Sequence, residues 1–153
     1  MTEKIEAKVT HRFPAAPERV YDAFLDPAMA WRWSRAWLRQ AGRDGDVTAC
    51  EIDPEVGGKF LFADRRGEAE ARHRGTFLEL ERPTKIGFTW IVDSADQDDP
   101  AIVTLIVEPE PDGPGSIVTL YDTMDARRAD EIAETEKGWI AMLQGLDEVL
   151  RQS

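Results

Sequence analysis

The sequence predicts an α+β fold: a curved antiparallel sheet of about seven strands wrapped around a long C-terminal helix, with two short helices after the first strand. Three observations carry this expectation. Segments of alternating polarity recur through most of the chain and are joined by short turns, which favours one meandering antiparallel sheet. The first such segment is followed at once by two stretches of helical periodicity, residues 17–25 and 28–38. The last segment, residues 129–151, is the only long amphipathic helix available to cover the apolar face of the sheet.

Each element has its own local reason. In residues 4–13, Ile5, Ala7, Val9, His11 and Phe13 share one face while Lys4, Glu6, Lys8, Thr10 and Arg12 share the other, the period-2 pattern of a half-buried strand. Pro14 ends it, and Pro17 fits the first turn of a helix, where a missing N–H costs nothing. Val20 and Phe24 recur at i, i+4 until Asp26-Pro27 closes the helix, because a residue before proline disfavours the α conformation. In the second helix Met29, Trp33 and Trp37 lie on one face.

A polar loop, Gly42 to Asp46, leads to a weak strand at 47–53 whose inward parity is ambiguous. Strand 58–64 presents Phe60 and Phe62 together, and the long strand 71–81 contains Gly75, which marks a bulge or bend. Strand 85–92 aligns Ile86, Phe88, Trp90 and Val92; strand 101–108 aligns Val103, Leu105 and Val107. The acidic run Asp93 to Asp99 between these two strands reads as a solvated hairpin loop. Strand 116–122 turns Val118, Leu120 and, by parity, Asp122 inward. In the final helix Ile132, Trp139, Leu143, Leu146 and Leu150 form the buried stripe. Gly138 and Gly145 interrupt it at a spacing of seven, either for close approach to the sheet or to leave room for a ligand.

Composition bounds the function. A chain of 153 residues suits a single domain, 1–153, with a core of its own. The net charge of −11 argues against nucleic acid and anionic membrane, which need a basic surface. No apolar run approaches a membrane span and no apolar leader is visible, so a cytoplasmic protein is expected. A single cysteine, Cys50, cannot form an internal disulfide and reads as a small buried hydrophobe. Two histidines without metal-ligand spacing, and no phosphate-binding glycine loop, imply neither metal nor cofactor.

The order of elements and a set of local motifs together resemble the START-like, or helix-grip (SRPBCC), superfamily. More narrowly they are similar to bacterial members of the activator of Hsp90 ATPase homologue-like family. The residues that carry the resemblance are Ala16 to Phe24 with Asp26-Pro27, Trp31-Arg32-Trp33, and Asp53 with Gly57-Gly58. They continue through Gly75 with Arg82-Pro83, Phe88-Thr89-Trp90, Gly115 to Leu120, and Gly138-Trp139 with Leu143 and Leu146. Two positions depart from the family: Glu55 stands where arginine is frequent, and Asp122 where histidine is frequent. The resemblance implies a helix-grip fold whose members include lipid and hormone binders, polyketide cyclase-like enzymes and chaperone cofactors. Fold alone does not choose among them.

The aromatic content points to an enclosed apolar site. Pocket walls are expected from Phe60, Phe62, Phe88 and Trp90 on the sheet and from Trp139, Met142 and Leu143 on the last helix, with Met29, Trp33 and Trp37 forming a lid. His11 and Asp122 are the inward polar candidates, and neighbouring first and last strands would let them pair. Arg72 and Arg74 share a face of the middle strand, solvent-exposed or reaching an acidic ligand.

Three readings follow. The first is a binding module for a hydrophobic or amphipathic small molecule. The second is a cyclase or dehydratase that moves protons through a His11–Asp122 pair, with Tyr121 as a further candidate. The third is a chaperone cofactor or protein-interaction module. A homodimer through an edge strand is compatible with all three.

Overall fold

The computed structural model describes residues 3–43, 46–92 and 100–152. Seven strands form one antiparallel sheet: β1 (Lys4–Phe13), β2 (Val47–Ile52), β3 (Lys59–Arg66), β4 (Ala69–Glu81), β5 (Lys85–Trp90), β6 (Ala101–Pro109) and β7 (Ser116–Asp125). Their order is β1-β7-β6-β5-β4-β3-β2, so the meander closes with the first strand beside the last. Helices α1 (Pro17–Leu25) and α2 (Pro27–Gln40) follow β1, and α3 (Ile132–Arg151) closes the chain. The expected acidic hairpin loop, 93–99, lies outside the described residues.

The inward faces are those that alternation specifies. Ala101, Val103, Leu105 and Val107 of β6 are buried, as are Val118, Leu120, Asp122 and Met124 of β7. Met142, Leu143 and Leu146 of α3 are almost fully buried against them. Each such side chain contributes about 1.5–3 kcal/mol of burial. Ile132, expected in the same stripe, is only half-buried and joins a satellite cluster of Ala7, Ala101 and Met124.

Several local expectations change. Asp26-Pro27 starts α2 as well as ending α1: the Asp26 carboxylate accepts from the backbone N–H groups of Ala28 at 2.8 Å and Met29 at 3.3 Å. The helix therefore begins at Pro27 and runs to Gln40. The ambiguous parity of β2 has a physical cause, a register shift between Val47 and Ala49 that lets both Val47 and Cys50 face inward. The bulge in β4 lies between Phe77 and Glu79 rather than at Gly75. Gly75 instead permits close approach, since a Cβ there would fall 1.8 Å from the Thr89 carbonyl oxygen and 2.6 Å from the Phe60 ring. Val92, placed by alternation with Phe88 and Trp90, lies beyond the regular strand and is 52% exposed. The last helix begins three residues later than expected, after a short 3₁₀ helix at Ala126–Glu131.

Helix α2 packs into the core and against α3. Its Trp33 is 1% exposed, donates its indole N–H to the Ala23 carbonyl at 3.2 Å and stacks on Phe24. Gly145 of α3 packs directly on its backbone: a Cβ there would lie 2.7 Å from the Trp37 nitrogen and 3.0 Å from the Trp33 oxygen. That glycine therefore serves helix–helix contact, not approach to the sheet.

Candidate functional site

The aromatic interior is filled rather than hollow. Trp33, Phe60, Phe88 and Met142 surround a void of about 10 Å³, which also touches Trp37, Phe62, Trp90 and Trp139. A space of that size holds one water at most. Ring-to-ring packing explains it, with Phe60 within 5.3–6.0 Å of Phe62, Phe77, Phe88 and Trp90. Leu143 is core, and Met29 is half-buried at its edge, its sulfur 3.6 Å from an Arg32 guanidinium nitrogen.

Beside this plug lies an open cleft of about 980 Å³. Its walls come from α2, residues of every strand from β2 to β7, the 3₁₀ helix and the first turns of α3. Of the expected site residues, Trp37, Phe62, Trp90, Trp139 and Asp122 line it. The rings form a continuous surface. Trp90 meets Trp139 edge-on at 4.8 Å and lies flat on the His73 ring at 5.2 Å, while Trp37 stacks on Trp139 at 5.9 Å.

Asp122 is the polar element of this wall. It faces inward as alternation requires and is 3% exposed. Its Oδ2 accepts the Trp139 indole N–H at 2.7 Å, while its Oδ1 has no hydrogen-bond partner. Burial holds its carboxyl above the ordinary carboxylate range, and the Trp139 hydrogen bond opposes that shift.

His11 belongs to a different place. It faces inward, but its Nε2 lies 2.6 Å from an Asp147 carboxylate oxygen, and Arg151 holds the other oxygen of Asp147. The strand register sets His11 opposite Val118 and Asp122 opposite Ala7. The two side chains are thus separated by four residues along the strands, on the order of 13 Å. The anticipated His11–Asp122 acid–base pair does not form, and Tyr121 points to the other face of β7. Cys50 is buried, and that burial pushes its thiol up to about 11, the behaviour of an inert core cysteine.

Further contributors extend the expected walls. His73 shares the inward parity of Gly75 and Phe77, a signal that alternation along β4 contains; its neighbour Arg72 is exposed. Its Nε2 lies 3.6 Å from Asp64. Gly138 borders the cleft, and a Cβ there would meet nothing within 4 Å. The 3₁₀ helix supplies Arg127, Arg128 and Asp130 from a stretch with no periodicity to read.

A model of the family described as activator of Hsp90 ATPase homolog 1-like protein matches residues 14–151 of the chain. No functionally curated protein matches it. Among solved structures, protein NE0264 of Nitrosomonas europaea is similar with a TM-score of 0.76 at 16% identity, covering 97% of this chain and 95% of that one. Protein CV1439 of Chromobacterium violaceum is similar with a TM-score of 0.73 at 25% identity, covering 94% and 95%. A protein of unknown function from Staphylococcus aureus, SA2116, superposes with a TM-score of 0.75 at 15% identity, covering 99% and 96%.

Proposed function

Starting from the chain's membership of the activator of Hsp90 ATPase homolog 1-like family, a START-like group, we propose that it binds an amphipathic small molecule in the open cleft. The observation that carries this reading is the cleft itself. Its volume of about 980 Å³ is of the size that encloses a drug-sized ligand, and Trp37, Phe62, Trp90 and Trp139 give it an apolar wall. The interior void of about 10 Å³ supports no ligand, which moves the binding surface outward from the sheet–helix core.

The chemistry is recognition. Asp122 has no histidine partner, and the His11–Asp147 pair is part of the β1–α3 contact. A cyclase or dehydratase would need a second positioned acid or base; the cleft offers His73, whose Nε2 faces Asp64 at 3.6 Å. The chaperone-cofactor reading draws on the family's description, and no surface feature among the described residues favours it. The net charge of −11 fits a cytoplasmic protein that shuns polyanions.

The test is native mass spectrometry of freshly purified protein, followed by denaturing analysis of anything released. An adduct of a few hundred daltons that dissociates on unfolding is the expected result. Failure of the purified protein to retain or take up any apolar probe would remove the reading.

A further inference from the structure

We propose that the cleft selects cationic ligands, an aromatic or amphipathic amine whose ammonium group is seated on Asp122 and whose apolar part lies on the Trp37, Trp90 and Trp139 wall. This rests on the cleft being the binding site and adds the chemical class of its occupant.

Two independent observations converge. The first is hydrogen bonding. Asp122 is buried with one oxygen satisfied by Trp139 and the other without a partner. Buried acceptors are nearly always paired, and an orphaned one calls for an explanation. In its ionised form a carboxylate accepts and does not donate, so a donor that holds Asp122 ionised completes it. An ammonium supplies donors and a compensating charge, and it restores the ionised state that burial disfavours.

The second is the character of the walls. Among the described lining residues five carboxyl groups, Asp64 and Glu134 among them, stand against three guanidinium groups. One of those three, Arg127, lies 4.0 Å from Asp125, and one of the five carboxyls, Asp64, lies 3.6 Å from His73, which leaves four carboxyls against two guanidinium groups. A carboxylate or phosphate ligand meets the opposite conditions: acidic neighbours and an acceptor facing an acceptor.

The experiment compares three probes of one shape by calorimetric titration of the wild-type protein: 1-naphthylmethylammonium, 1-naphthalenemethanol and 1-naphthoate. The cation is expected to bind roughly tenfold or more tightly than the neutral alcohol, and the anion most weakly. Asp122→Asn, which keeps the shape and an acceptor for Trp139, should bring the cation and the alcohol to similar affinities. Glu134→Gln, which removes a charge from the wall without touching Asp122, should preserve most of the preference.

Equal binding of alcohol and ammonium, or tighter binding of the anion, overturns the cation assignment and leaves the cleft as a binding site. So does a cation preference that survives Asp122→Asn or collapses equally in Glu134→Gln. Absence of binding by all three probes contradicts the cleft reading itself. The wild-type comparison decides the charge preference whether or not a variant folds.

Discussion

A buried carboxyl group with one unpaired oxygen costs about 1–3 kcal/mol, and Asp122 is in that position. Its folded-state pKa is raised by burial, so between the unfolded and the folded values the folded protein holds a proton there that the unfolded chain has released. Stability from this group is therefore present below the ordinary carboxylate value near 3.9 and lost as pH rises through the raised value. Asp122→Asn lacks that loss. Urea denaturation at pH 4 and pH 7.5 should show the variant gaining on the wild type as pH increases; a constant difference would contradict the assignment. Asp122→Ala should be less stable than Asn at both pH values, because the Trp139 indole N–H loses its acceptor. Residue-scale features were partly legible in sequence. Strand alternation places both Asp122 and His11 inward. What alternation cannot give is the rotation of α3 over the sheet, and that rotation brings Asp147 to His11 and Trp139 to Asp122.

At the scale of elements, α3 carries two glycines seven residues apart with opposite roles. Gly145 lies against the α2 backbone, so Gly145→Ala drives a methyl group to within 2.7 Å of the Trp37 nitrogen. Backbone cannot yield there without parting the two helices. A loss of about 1–3 kcal/mol is expected, outweighing the helix-propensity gain. Gly138 faces open space, so Gly138→Ala should stabilise by about 0.8–1 kcal/mol. Thermal melts of the two variants should shift in opposite directions; shifts of the same sign would contradict the packing. Among the described residues the sequence reading recovered each strand and each α-helix, because each has a periodic stripe or a proline boundary. It missed the 3₁₀ helix at Ala126–Glu131, which has neither, and it placed the C-terminal helix start too early for the same reason. The parity of β2 escaped because a register shift breaks the alternation on which parity rests.

For the molecule as a whole, the abundance of aromatic residues made an enclosed site readable but misplaced it. Phe60, Phe88 and Trp90 pack edge and face into one another and onto Phe77, and so consume the space that the three of them were expected to line. The open volume lies where that plug ends, between α2, the sheet end and the 3₁₀ helix. This geometry predicts that a ligand touches Trp139 and not Trp33, since Trp33 is 1% exposed and lies one ring behind Trp37 and Phe62 of the cleft wall. It also predicts that Gly138→Leu, which extends a side chain into the cleft, excludes the ligand while preserving the fold. The most direct measurement follows the five indole N–H signals of the ¹⁵N-labelled protein during titration with 1-naphthylmethylammonium. The expected result is a saturable shift of the Trp139 signal with Trp33 unmoved, abolished in Gly138→Leu. A shift centred on Trp33, or an undiminished Trp139 shift in Gly138→Leu, would contradict the cleft as the site.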